Sequence, residues 1–377
     1  MPPTGSPSAL RSANLERIVG VLRTATEVSQ AEIARRTDLA PATVSNIVRQ
    51  LVATGLVETS GGAGRRGLTV QISRRAGLVA GLDFGHSHLE VALGDLAGRP
   101  LVGVRRPLDN DHRYADGLAL AEELLDDLLA ELGESRDAVR AGGLGLPAPI
   151  TKDGRITAGS ILPGWVGVAA ADVASAVLGI PILVDNDANL GALAEHHHDP
   201  GVTTLAYLKA SSGIGCGLVL DGRLYRGGLG TAGELGHVTL DESGPLCRCG
   251  SRGCLEAYAG GSGLIEQLRG RAPDLAVHDL ADLAVSGDAG ARRLLEDAGR
   301  ALGQGSAILA NLLSPEVIVV GGDLACEILV DGIRDGLRRH AVDGLEGAIE
   351  VRLSTLGDKA SVVGALVTAL DAVALTG

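Results

Sequence analysis

The sequence predicts an α/β body of two similar lobes around a cleft, with a small helical head in front of it. Three observations carry that prediction. Within residues 78–374, a strand meander, helix, strand, helix and strand are followed by much the same order again, which is how a duplicated α/β layout reads. Residues 14–73 follow another plan, three helical stretches and a hairpin. The charge also divides: residues 1–75 hold ten Arg, no Lys and five acids, a net +5, so the rest of a chain with net charge −13 carries −18.

A length of 377 residues suits two or three domains. With 45% hydrophobic and 21% charged residues the chain can bury a substantial core, which excludes a mostly disordered protein. The 55 glycines follow no Gly-X-Y period, so they mark tight turns and close approaches, not collagen. One Trp, one Phe and four Tyr are too few for a platform that stacks single-stranded nucleic acid. No apolar run reaches the roughly 18 residues of a membrane helix. Met1–Ser12 has no segment of signal-peptide type. A cytoplasmic protein with no membrane partner is expected. Five cysteines are too few for a disulfide scaffold, so their spacing matters more than their number.

Residues 1–13, rich in Pro, Ser and Gly, are expected to be disordered. In residues 14–73, Leu15, Ile18, Val19 and Leu22 have helical spacing. Ser29 reads as the N-cap of a short helix, Gln30–Arg36, and residues 37–40 as a turn. Pro41 suits the first position of a third helix, whose apolar face is Val44, Ile47, Val48 and Leu51. Residues 56–59 and 68–72 make a hairpin. Helix, helix, turn, helix, hairpin is a winged helix-turn-helix. Its third helix turns Thr43, Ser45, Asn46, Arg49 and Gln50 outward, side chains able to reach base edges or phosphates. Arg65 and Arg66 sit on a glycine-rich wing tip suited to a minor groove or a phosphate. Double-stranded DNA is the expected partner; a plain helical packing module is the alternative.

Residues 74–77 are a short basic linker. Residues 78–187 give the first lobe: strands at 78–85, 88–94 and 100–106, a helix at 115–132, a strand at 142–146, a helix at 169–178 and a strand from Ile182 to Asp185. Residues 188–360 give the second: strands at 204–209, 216–220 and 222–225, a helix at 291–313 and a strand at 317–320. A last helix, about 361–374, is expected to pack on the first lobe. His196–His198 read as an exposed turn, Arg105 and Arg106 as solvated, and Trp165 as either a sugar-stacking or a packing residue.

The strongest chemical motif is Cys247-Arg248-Cys249-Gly250-Ser251-Arg252-Gly253-Cys254, with His237 ten residues upstream. Three thiolates and an imidazole satisfy tetrahedral Zn²⁺ and leave no open position, so His237, Cys247, Cys249 and Cys254 read as a structural zinc site. Three reduced surface cysteines are the bland alternative. Asp185-Asn186-Asp187-Ala188-Asn189 follows a buried strand, and such ends point into clefts. There Asn186 can bond sugar hydroxyls, and Asp187 can take a proton from a hydroxyl that attacks a phosphoryl group; a capping turn explains the same letters. The loop from Gly227 to His237 is dense in glycine, and its Glu234 can accept from paired hydroxyls. Glu256 would be brought near by the zinc loop. Asp83-Phe84-Gly85-His86-Ser87 and Ser211-Ser212-Gly213 read as phosphate-cradling turns or ordinary hairpin turns.

Together these residues resemble the ROK family of bacterial sugar-responsive repressors and sugar kinases. The C-x-C-G-x-x-G-C-x-E run at 247–256 and G-E-x-G-H at 233–237 carry the resemblance, with Ile161-Leu162-Pro163-Gly164-Trp165 and the 185–189 run. The N-terminal winged helix is a feature of the family's repressors. The resemblance implies the two-lobed actin-like ATPase (ribonuclease-H-like) fold, sugar binding by Asn186, Asp187, Glu234, His237 and Glu256, and the zinc ligands named above. In a kinase Asp187 would be the general base, with ATP and Mg²⁺ as cofactors. Nucleotide contacts would fall to Asp83, Gly85, Ser87, Ser212, Gly213, Gly321 and Gly322. The family's kinases have D-x-G-G-T where this chain has Asp83–Ser87, so His86 replaces a glycine; the second loop starts Ser-Ser-Gly instead of Gly-Thr-Gly. The implied protein is a regulator of carbohydrate genes, a homodimer or homotetramer on operator DNA. An ATP-dependent sugar kinase is the alternative, and zinc sensing a third.

Overall fold

The computed structural model describes residues 7–25, 27–61, 68–109, 112–156, 162–345 and 347–373. Helix α1 (Pro7–Thr24) buries the stripe Leu15, Ile18, Val19 and Leu22. Residues 7–13 are thus helical, not disordered as expected. Pro7 suits a first turn, and the following Ser-Ala-Leu-Arg-Ser-Ala contains no helix breaker. Strand β1 (Val28–Ser29) leads into α2 (Gln30–Thr37), where Ser29 Oγ accepts from the Glu32 amide. Asp38, at φ 53°, turns the chain into α3 (Pro41–Ala53), which buries Val44, Ile47, Val48 and Leu51. Strands β2 (Val57–Gly61) and β3 (Leu68–Ile72) complete an antiparallel sheet ordered β1-β3-β2. Arg65 and Arg66 lie outside the described residues.

The first lobe holds β4 (Leu78–Phe84), β5 (His88–Asp95), β6 (Pro100–Pro107), α4 (Tyr114–Leu132), β7 (Val139–Leu146), α5 (Ala170–Leu178) and β8 (Ile182–Asn186). Its sheet runs β6-β5-β4-β7-β8, with an antiparallel meander on one side and parallel partners on the other. After α6 (Asp187–His198), the second lobe builds the same sheet from β9 (Leu205–Ala210), β10 (Ile214–Leu220), β11 (Arg223–Leu224) and two later strands. Between come α7 (Leu255–Ala259), α8 (Gly261–Leu268), α9 (Asp279–Val285) and α10 (Ala289–Leu313). Then β12 (Val317–Gly321), α11 (Glu327–His340) and β13 (Glu350–Leu353) give the order β11-β10-β9-β12-β13.

The last helix, α12 (Ala360–Ala372), crosses back. It packs on β4, β5 and β7 of the first sheet, while α6 packs on β9 and β10 of the second, and the two helices meet face to face. Residues 360–370 of α12 are all buried. The meeting is close enough to need glycine: a Cβ on Gly364 would lie 1.9 Å from the Leu190 carbonyl oxygen. The far end of α12 joins the head. Leu366, Ala369 and Leu370 share one apolar cluster with Ile18, Leu22 and Val70, and Arg23 donates to the Leu370 carbonyl at 3.3 Å.

Three ambiguous readings resolve here. Trp165 is fully buried against Phe84, and its indole N–H donates to His112 Nε2 at 3.2 Å, so it packs within the lobe. His196–His198 form the last turn of α6, not a solvent-exposed turn; His196 and His197 are half-buried and bond the carbonyls of Val202 and Ala97. Imidazoles suit a helix C-terminus. Arg105 is not solvated but ion-paired to Asp323 and Asp358 across the lobes. Among the described residues, no helix is long and apolar enough to cross a membrane.

Candidate functional site

The ends of β7, β8 and β9 open into a cleft between the lobes with an empty volume of about 990 Å³, its mouth included. The turn from β8 into α6 supplies its floor. Asn186 is the N-cap: its Oδ1 accepts from the amides of Ala188 and Asn189, and its Nδ2 donates to Ala148 O. The capping and the cleft-lining readings of this residue therefore both hold geometrically. Asp185 and Asn189 bond each other, and Arg226 clamps Asp185, so these two are scaffold.

Asp187 opens α6, is 6% exposed, and accepts from the Ala188 amide. Its Oδ2 takes a hydrogen bond of 2.8 Å from Lys209 Nζ, whose nitrogen also lies 3.8 Å from Asp83 Oδ2. Burial, with the Asp83 charge beside it, pushes Asp187 above the usual carboxylate range, and Lys209 opposes that shift. The two carboxylates hold the Lys209 ammonium firmly protonated against its burial. Ser361 Oγ, at the start of α12, accepts from Lys209 at 3.0 Å and donates to the Asp187 carbonyl at 3.1 Å.

Opposite, His237, Cys247, Cys249 and Cys254 come together with their ligand atoms all within 4.8 Å. The Cys249–Cys254 sulfurs are 3.7 Å apart, and Cys247 Sγ is 3.8 Å from His237 Nδ1. A tetrahedron with zinc–sulfur bonds of about 2.3 Å sets its sulfurs about 3.8 Å apart, so the donors fit such an ion. Gly253, at φ 61°, passes so close to Asp241 O that a Cβ would lie 1.6 Å from it. The loop delivers two cleft residues. Glu256, 8% exposed, accepts from the Ile214 amide at 3.0 Å and from Arg248 Nε at 2.8 Å. Arg248, seated between two of the cysteines, was not anticipated. Glu234 keeps 41% of its side-chain surface open, 3.9 Å from His237 Nε2. Partial desolvation raises its pKa, as do the carboxylates of Glu256 and Asp187, while His237 opposes.

The phosphate-type loops are built differently. Gly85, Ser87, Ser212 and Gly213 line the cleft, and Asp83 is buried beneath it. The His88 ring covers Gly85: a Cβ there would lie 2.1 Å from it. His86 does not take the positive φ that a glycine at its place allows. Gly322 lines a neighbouring hollow, whereas Gly321 packs on Tyr207 within the sheet. On α3, Asn46 and Arg49 are exposed and bonded to each other, while Thr43, Ser45 and Gln50 are half-buried. Arg11 of α1 donates to Gln50 and extends this face, a contribution hidden in the stretch expected to be disordered.

A model of the ROK family matches residues 79–372, and a model of the MarR family matches residues 17–66. The xylose repressor of Bacillus subtilis (strain 168) is 27% identical over 355 residues, 89% of each chain. A solved ROK family transcriptional regulator, described as a homolog of the E. coli MLC protein, covers 96% of this chain and 97% of its own with a TM-score of 0.77; at 24% identity it speaks for the fold, head included. A ROK family glucokinase from Streptomyces griseus, solved with glucose and AMPPNP, is 27% identical with a TM-score of 0.68, covering 78% of this chain and 100% of its own. Two lobes of one sheet order around a cleft, behind a winged helix, are thus the actin-like ATPase fold with a DNA-binding head, and the chain belongs to the ROK family.

Proposed function

We propose that the chain is a transcriptional repressor of carbohydrate genes whose effector is a sugar or sugar derivative bound in the inter-lobe cleft. One observation carries this: a single buried helix, α12, touches the cleft at Ser361 and the winged helix at Leu370. Asp187, Glu234 and Glu256 offer carboxylate acceptors to sugar hydroxyls, with Asn186 and His237 beside them in the lining. Zn²⁺ held by His237, Cys247, Cys249 and Cys254 keeps Arg248 and Glu256 in place; with four protein ligands it has no open position for chemistry. Thr43, Ser45, Asn46, Arg49, Gln50, Arg65 and Arg66 are the DNA-facing set. A homodimer or homotetramer presents two heads to a two-fold operator.

The effector acts only insofar as it binds one arrangement of lobes better than the other. Closure on a sugar displaces Asp187 and Lys209 relative to Ser361, and α12 carries the movement to the Arg23–Leu370 contact. The first test is sequencing of genomic DNA captured by the purified full-length protein at fixed physiological salt, since phosphate binding dominates at low salt. A few peaks with a shared near-palindrome, released by D-xylose, D-glucose or another member of a sugar panel, is the expected result. Asp187→Ala should keep operator binding and lose the release. Flat enrichment, or loss of both properties in Asp187→Ala, would overturn the proposal.

The competing reading is an ATP-dependent sugar kinase with Asp187 as base, which the raised pKa of that residue favours. Sugar-dependent ADP release that vanishes in Asp187→Asn would establish it.

A further inference from the structure

An ATP-dependent reaction in this cleft would need a divalent cation bridging the phosphates and room for them against the glycine loops. The residues present do not fit the cation, and one of the glycine loops is covered. Lys209 stands on β9, an otherwise apolar strand, with its side chain 13% exposed. Its ammonium donates to Asp187 Oδ2 at 2.8 Å and Ser361 Oγ at 3.0 Å, and forms a looser ion pair with Asp83 Oδ2 at 3.8 Å. The carboxylates that could face a metal therefore already share an ammonium.

A second cation stands beside this half, in the neighbouring hollow. Arg105 Nη2 lies 3.1 Å from His88 Nδ1 and 3.4 Å from Asp323 Oδ1, and its Nη1 lies 3.1 Å from Asp358 Oδ2. His88 covers Gly85, where a phosphate would need bare backbone. Ser211 Oγ, on the other loop, accepts from the Asp323 amide at 3.0 Å. Arg105 of the first lobe thus meets two second-lobe carboxylates beside the glycine loops.

We propose that Lys209 is a built-in cation standing in for a metal-bound phosphate donor: it holds Asp187 as a hydroxyl acceptor and lets the cleft take its effector without nucleotide. Lys209 is a positioning residue here. It presents Asp187 to the ligand, and its bond to Ser361 ties that carboxylate to α12. The proposal rests on reading the cleft as a sugar site, but its test does not, because the probe is Mn²⁺ alone.

Mn²⁺ is titrated into full-length protein and followed by electron paramagnetic resonance. Wild type should hold no Mn²⁺ that depends on Asp187, with or without AMP-PNP. Lys209→Ala should gain one bound Mn²⁺ at least roughly tenfold tighter than wild type, as removal of a neighbouring positive charge requires. That gain should vanish in Lys209→Ala/Asp187→Asn and be absent in Lys209→Arg, which keeps the charge. A wild-type Mn²⁺ site abolished by Asp187→Asn would overturn the proposal, as would a folded Lys209→Ala with no gain. If Lys209→Ala does not fold, the wild-type and Asp187→Asn titrations decide it. Failure of every sugar to bind wild type would sink the sugar reading while leaving the Mn²⁺ result standing.

Discussion

The two halves of the cleft use their charged side chains oppositely. On the sugar half, Glu234 is open to solvent and Glu256 and Arg248 neutralise each other at the wall. On the phosphate half, Lys209 bridges Asp83 to the sugar-facing Asp187, and Arg105 pairs with Asp323 and Asp358. A binding site is therefore not defined by which polar residues line it. What counts is whether their hydrogen bonds and charges are still available to a guest.

The contrast can be broken most visibly at Lys209. Lys209→Ala strands two buried carboxylates and should lower stability by about 3–5 kcal/mol in urea melts. Glu234→Gln, in the exposed half, should change stability by less than about 0.5 kcal/mol while weakening sugar binding roughly tenfold. Equal effects of the two on stability would erase the distinction.

Glu90 sharpens it through pH. On β5 it lies between Asp83 of β4 and Arg105 of β6. Burial, then the Asp83 and Asp358 carboxylates, push its pKa up to about 7. The folded state thus holds a proton that the unfolded chain gives up near pH 4.5. Stability should fall as pH rises from there to about 7, and level off above it. Glu90→Gln removes that fall and should stabilise the protein at pH 8 by about 3 kcal/mol. Parallel melting curves for the two proteins across this range would contradict the assignment. A modest effect is expected at Asn186: loss of the α6 cap should cost about 1 kcal/mol. If Asn186→Ala also abolishes sugar binding in calorimetry, the residue serves ligand and helix together.

The parts legible in sequence were those whose chemistry is local. The cysteine run, the 185–189 turn and the 227–237 loop each announce themselves within a dozen residues. Lys209 did not, because its partners lie 22, 126 and 152 positions away. One clue was available: a lone Lys in Leu205–Ala210 is a buried charge in need of partners. Arg105 was misjudged for the same reason, its carboxylates lying more than 200 residues on. Helix α11 is not among the elements read from the sequence, and its Gly332 and Gly336 lower intrinsic helix propensity. They abut Gly299 and Gly303 of α10, where a Cβ on Gly303 would lie 2.7 Å from Gly336 Cα. Long-range packing, not local propensity, selected those residues.

The route of α12 also bears on how the protein is made. This helix leaves the ribosome after every other described element, yet it covers β4, β5 and β7, which were synthesised near the beginning, and props the winged helix through Leu370. The winged-helix head emerges before both lobes but lacks its seat until residues 360–372 arrive. A chain cut short before them exposes the apolar face of its first sheet. Such an exposed apolar face is an aggregation and proteolysis liability.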